Sequence, residues 1–297
     1  MLETPDMRFW GRSNHTHCAV RALHQFHEEN KRYPAHGNEA EVQAVYDAAC
    51  KLWDNADEAL DEKFVKVSAR FASCSISPMA AFFGGFLAQE VIKKTGKYIP
   101  LKQWMHYDIS EAVPTGEVDR TVSGSRYDDQ IKIFGNEIQE KLGNVKTFMV
   151  GSGALGCELI KAMAVMGLAC GPKGHLTVTD NDNIEVSNLS RQFLFRQKNV
   201  GGSKAETSCE IAKTMNPDLK VRPLTILVAP ATENVFDEDF WSSLDFVVNA
   251  VDNVKARNYV DGKCVWFEKP LLESGTLGTK ANSQMIVPHK SLSYTDI

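Results

Sequence analysis

The stretch VKTFMVGSGALGCE, residues 145–158, decides how the second half of this chain folds. Residues 145–150 have the apolar, partly β-branched character of a strand and run directly into Gly151-Ser152-Gly153-Ala154-Leu155-Gly156. A helical pattern follows at 157–167, with Leu159, Ile160, Met163 and Met166 turned inward. Each glycine has a physical reason in such a strand–loop–helix unit. The first permits a tight turn, the second lets backbone amides approach a phosphate, and the third lets helix and strand pack closely. Amides and dipole at the helix start then favour an anion.

Downstream, the alternation continues. A strand is predicted at 175–179, a helix at 203–215 ended by Asn216-Pro217, and strands at 219–223 and 245–251. The last is apolar enough for the middle of a parallel sheet. Alternation of this kind predicts an α/β fold with a doubly wound, mostly parallel, Rossmann-like sheet.

Upstream of the loop the pattern is helical. Asn38 with Glu41 resembles a capping box, followed by Val42, Val45, Ala49 and Leu52 on one face. Leu60, Phe64, Val67 and Phe71 continue at helical spacing. Ser77 and Pro78 read as N-cap and first residue of a helix carrying Phe82, Phe83, Phe86, Leu87 and Val91, stopped by Lys93-Lys94-Thr95-Gly96. A short strand is expected at 103–108, and the polar, Gly- and Pro-bearing stretch 111–125 reads as a linker. The predicted organisation is a smaller helical region at 1–75, a second segment with linker at 76–125, and the α/β domain at 126–297.

Bulk properties narrow the function classes. A net charge of −5 gives no electrostatic footprint for nucleic acid or an anionic membrane. No apolar run reaches the roughly 18 residues of a membrane span. The most apolar stretch, 79–92, is interrupted by Gly84-Gly85 and Gln89-Glu90 and reads as a buried core helix. The first ten residues include acidic residues and lack an apolar core, unlike a secretory signal. Seven scattered cysteines without a CxxC pair point to reduced thiols and a cytoplasmic and nuclear setting. His15-Thr16-His17-Cys18 lacks a second ligand pair at zinc-site spacing.

Asp180 closes the second strand 24 residues after Gly156, where a dinucleotide fold places the carboxylate that accepts from ribose hydroxyls. With the glycines alone it would suit an NAD-dependent oxidoreductase. The following segment NDNIEVSNLSRQFLFR, residues 181–196, and Gly202-Ser203-Lys204 argue otherwise. Arg191 and Lys204 gathered behind a ribose carboxylate suit a triphosphate, whose oxygens gain negative charge as its α-phosphorus is attacked. Asp252 and Asn253 follow a buried strand at its carboxyl end, and a carboxylate there suits Mg²⁺ shared with phosphates.

The segments VGSGALGCE, TDNDNIEVSNLSRQFLFR, GSKAE, NAVDNVKAR and KPLLESGTLGTK resemble the active adenylation domain of eukaryotic ubiquitin-activating enzymes, from about residue 126 to the end. More loosely, RALHQFHEEN, SPMAAFFGGFLAQEVIKKTGKYIPLKQWMHYD and RYDDQIKIFG are similar to that family's helical bundle, the tail of its inactive adenylation domain and its crossing segment. The resemblance implies that Gly151, Gly153, Ala154 and Gly156 line ATP and that Asp180 holds its ribose. It places Asn188, Arg191 and Gln192 near the phosphates, Lys204 on them, Mg²⁺ on Asp252, and Asn253 beside the adenine or phosphate end. The implied reaction is attack of a ubiquitin C-terminal carboxylate on the α-phosphorus, with Arg191, Lys204 and Asn188 as the catalytic set. Implied partners are ubiquitin and, through the full-length enzyme, a ubiquitin-conjugating enzyme.

In that family a thioester-forming cysteine follows the TLGTK strand, so this chain is expected to be an internal part of a larger enzyme and to form no thioester itself. Cys264 lacks an activating histidine and reads as structural. Cys157 stands near a helix start that could lower its pKa, although the resemblance makes it a packing residue. A module that binds the modifier without turnover is the remaining alternative. The apolar face of the helix at 78–91 is also expected to drive self-association.

Overall fold

The computed structural model describes residues 11–102, 104–277 and 280–296, which fall into two compact units, one ending at Ile138 and the other beginning at Gln139.

In the first unit, α1 (Arg12–Asn30), α2 (Glu39–Leu52) and α3 (Glu62–Arg70) enclose a core of Ala19, Ala22, Leu23, Val42, Val45, Ala49, Phe64 and Val65. Asn38 caps α2 by accepting the Glu41 N–H, but Glu41 does not close the expected box. Its carboxylate takes the Arg32 guanidinium at 2.6 Å and the Ala35 N–H at 2.7 Å instead. The buried stripe of α3 is Phe64, Val65 and Ala69; Val67 and Phe71 are only half-buried, and Leu60 precedes the helix.

α4 (Ser77–Lys93) starts one residue before the predicted first position, with Ile76 at the cap and Ser77 already helical. The expectation that it is a buried core helix does not hold. No residue of α4 is buried, and Phe83, Phe86, Leu87, Val91 and Ile92 are exposed. Its aromatic cluster receives one ring from outside the helix, Tyr107 stacked on Phe82 at 4.1 Å. The strand expected at 103–108 is also absent from 104–108, which holds a single bridged residue, Met105; Gln103 lies outside the described residues. After α5 (Asp128–Phe134), α6 (Asn136–Asn144) leads into the second unit.

The second unit alternates strands and helices, with the expected elements present as β1, α7, β2, α8, β3 and β4: β1 (Lys146–Val150), α7 (Ala154–Met166), β2 (His175–Thr179), α8 (Lys204–Met215), β3 (Val221–Leu224), α9 (Glu238–Ser242), β4 (Phe246–Asn249), α10 (Val254–Trp266), β5 (Leu271–Leu277) and β6 (Lys280–Ile286). The sheet order is β3-β2-β1-β4-β5-β6, parallel except for β6, which runs antiparallel to β5. The mostly parallel, doubly wound sheet expected from the sequence is therefore present. Alternation along β1 sends Met149 to one face and Phe148 and Val150 to the other. Met149 joins Ile160, Leu176, Val178 and Cys209 under α7 and α8. Phe148 and Val150 join Trp241, Val247, Val260 and Leu271 under α9 and α10. Strand order turns outward in both directions from β1 and β4, so a crevice opens at their carboxyl ends. Among the described residues, no helix is long and apolar enough to cross a membrane.

Candidate active site at the carboxyl edge of the sheet

β1 ends in the glycine loop because Gly151 adopts φ +96°, and a Cβ there would meet the Ala250 carbonyl oxygen at 2.6 Å. Gly156 packs as closely: a Cβ would lie 2.5 Å from the Gly151 oxygen. Gly153 differs, since the nearest atom to a Cβ there is Gln192 Nε2 at 3.9 Å. It leaves space. Gly153 is also the N-cap of α7, which begins at Ala154, so no side chain caps the first amides of that helix. Uncapped amides at a helix start are an anion seat.

Asp180 stands just beyond β2 and accepts from the Ser152 N–H at 2.7 Å and the Asp182 N–H at 2.9 Å. Burial pushes its carboxyl pKa up, against those two donors. Ser152 points the other way, its hydroxyl 2.7 Å from Ser208 Oγ of α8. The loop is thereby fastened both to β2 and to the helix carrying Lys204. Lys204 is buried and gives its ammonium to the exposed Asp182 carboxylate at 2.7 Å.

The segment between β2 and α8 folds back on itself through Ile184, whose N–H donates to Gly202 O and whose carbonyl accepts from Gly201 N. A 3-10 turn, Val186–Ser190, holds Asn188 buried, with its amide oxygen taking the Glu185 N–H at 2.9 Å. That oxygen is committed to the turn. Arg191 is exposed and its guanidinium donates back to Ser187 O at 3.1 Å. Gln192 is buried, and its Oε1 has no hydrogen-bond partner. A buried amide oxygen without a partner, beside an open glycine loop, marks a place where a bound water or ligand would complete the hydrogen bonding.

On the other side of the crevice, Asp252 and Asn253 lie in the short turn from β4 to α10, both exposed. Asn253 caps α10 by accepting the Ala256 N–H at 2.8 Å. The sequence reading missed what holds this turn: buried Asn249 and Glu273, with Arg257 from α10. All three lie within NAVDNVKAR and KPLLESGTLGTK, yet only the sheet register brings them together.

Every predicted site residue thus lies between the carboxyl end of β1, β2 or β4 and the first turn of the helix that follows it. Two hollows lie elsewhere. One of about 870 Å³ belongs to the first unit, with Arg12, His36, Phe71 and Arg120 in its wall, and one of about 510 Å³ lies by His175 at the amino end of β2. The considered thiols are inert. Burial pushes Cys157 up to about 11, overturning a thiolate at the helix start, and drives Cys264 up as well. His15 instead stacks on Trp53 at 4.6 Å, and no cluster of metal-ligating groups occurs among the described residues.

By layers, strand order and the placement of its glycine loop, the second unit is a Rossmann-like α/β domain. The ThiF family model matches residues 127–297, and a model described as the ubiquitin-activating enzyme E1 four-helix bundle matches residues 1–52. The chain belongs to the ThiF family. It is 49% identical over 286 residues to a ubiquitin-activating enzyme E1 2 of Triticum aestivum, covering 94% of this chain and 27% of that protein. It is 42% identical to a ubiquitin-like modifier-activating enzyme 1 of Oryctolagus cuniculus, covering 98% and 28%. The chain thus spans less than a third of the curated relatives it matches. Among solved structures it is similar to E. coli MccB with ATP, at a TM-score of 0.50 and 26% identity over 58% of this chain and 52% of that one.

Proposed function

We propose that this chain supplies the ATP-holding part of an enzyme that adenylates the C-terminal glycine of ubiquitin. The observation that carries the reading is the buried Gln192 amide, with Oε1 unpaired, beside the open Gly153 position and the uncapped start of α7. A phosphate chain fits that space: amides of the loop and of α7 donate to its oxygens, and Lys204 turns from Asp182 to meet it. Asp180 orients the ribose through its second lone pairs while still holding the Ser152 amide. Asp252 is an exposed carboxylate, which fits a cation that takes one protein carboxylate and shares phosphate oxygens, as Mg²⁺ does. When bound there, Mg²⁺ would neutralise phosphate charge.

In the reaction, a carboxylate oxygen of the modifier attacks the α-phosphorus. The bond to the bridging oxygen breaks, and pyrophosphate leaves with the electron pair. No general base is required, because the nucleophile is already an anion. Lys204 and Arg191 stabilise the charge that develops on the phosphoryl oxygens. Arg191 must release Ser187 O to do so, a movement within reach of an exposed side chain. Ubiquitin and, in the context of longer relatives, a ubiquitin-conjugating enzyme are the proposed partners.

Calorimetric titration with ATP·Mg²⁺ and separately with NAD tests the reading. ATP binding without NAD binding is expected; equal or tighter NAD binding would return the site to the oxidoreductases. In the intact enzyme, Asp252→Ala should abolish modifier-dependent exchange of pyrophosphate into ATP.

A further inference from the structure

A buried ion pair stands behind the turn that carries Asp252. β4 ends at Asn249, whose side-chain amide donates at 2.7 Å to Glu273 Oε2 on β5, the residue opposite it in register. The other oxygen of Glu273 receives the Arg257 guanidinium, which also donates to Val251 O at 2.6 Å. Both charged side chains are nearly excluded from water, at 13% and 5% exposure. A pair buried so deeply contributes little net stability over apolar residues of similar shape. Its distinctive effect here is geometric.

The peptide unit is planar, so fixing the carbonyl of Val251 fixes the plane that contains the N–H of Asp252. Asn253 holds the following side by capping α10. The backbone of Asp252 is therefore clamped before and after, while its carboxylate stays exposed with no side-chain partner in the described structure. Gly275 completes the clamp. A Cβ there would lie 2.6 Å from both terminal nitrogens of Arg257, so only glycine on β5 leaves the guanidinium its place.

We propose that Arg257, seated by Glu273, Asn249 and Gly275, is a positioning residue that aims the Asp252 carboxylate at a phosphate-bound divalent cation. The proposal rests on the reading of Asp252 as the metal ligand. Groups that orient a ligating carboxylate change metal affinity by about 10–100-fold when removed.

The test is ATP binding by the intact protein, titrated calorimetrically in Mg²⁺ and again in EDTA. Arg257→Gln should weaken binding by at least about tenfold in Mg²⁺, and leave binding in EDTA unchanged. Asp252→Ala should show the same pattern, and adding Arg257→Gln to it should cause no further loss. Glu273→Gln keeps volume and an acceptor, and should lie between Arg257→Gln and the parent, guarding against a variant that fails to fold. Equal losses in Mg²⁺ and EDTA, or additive losses in the double variant, would make Arg257 a general structural residue. If Asp252→Ala itself leaves the Mg²⁺ dependence intact, the metal assignment falls, whatever Arg257 does.

Discussion

The carboxylate of Asp180 accepts the backbone N–H of Ser152 at 2.7 Å, tying the end of β2 to the middle of the glycine loop. Hydrogen bonds to a charged group contribute about 1.5–3 kcal/mol. Asp180→Ala should therefore raise the Kd for ATP at least about tenfold, with or without Mg²⁺, unlike Asp252→Ala. An unchanged Kd in EDTA would remove Asp180 from the ribose.

Asp180 also makes a pH-dependent contribution to stability. Burial raises its folded-state pKa above the ordinary 3.8, so the folded state binds the proton more tightly than the unfolded chain does. The contribution is complete below 3.8 and is lost as pH rises to and through the folded value. Urea unfolding at a series of pH values above 3.8 should show Asp180→Asn losing less stability than the parent with rising pH. Parallel curves would contradict the shift.

Two glycines of one loop should behave oppositely. Gly156→Ala forces a Cβ to 2.5 Å from Gly151 O. It should cost about 1–3 kcal/mol of stability, read as a lowered Tm. Gly153→Ala has its nearest contact at 3.9 Å and should leave Tm unchanged while weakening ATP. A lowered Tm for Gly153→Ala would show that the space is not open.

The buried thiols should be silent. With Cys157 at about 11 and Cys209 at about 12, neither forms thiolate near neutrality, and Cys264 is pushed up too. At pH 8, iodoacetamide followed by mass spectrometry should modify exposed Cys50 first and these three only after denaturation. An ATP-dependent, reducible ubiquitin adduct on Cys157 or Cys264 would overturn the assignment.

The uncovered face of α4 should drive association. Phe83, Phe86, Leu87, Val91 and Ile92 are all exposed on it. Sedimentation at micromolar concentration should detect species larger than a monomer, and Leu87→Glu should reduce them. A clean monomer for the parent chain would refute this.

Local sequence determined the glycine loop of the second unit and the strands and helices around it. GSGALG dictates a turn that only glycine can make, and β2 lies at the predicted 175–179, because backbone sterics and hydrophobic period act within a few residues. Candidate residues on three separate loops were legible for the same reason: a doubly wound sheet sends the ends of β1, β2 and β4 to one edge. Partners across the chain were not legible. That Asn188 spends its oxygen on its own turn, that Arg257 reaches Glu273 and Val251, and that Cys157 lies too deep to ionise depend on register and burial. The apolar run at 79–92 has the pattern of a core helix because hydropathy records what a segment can bury, whereas the tertiary structure decides what is present to cover it. Short-range sterics fix the elements; long-range contacts, which no local pattern encodes, fix which side chains are held, paired or left free for a ligand.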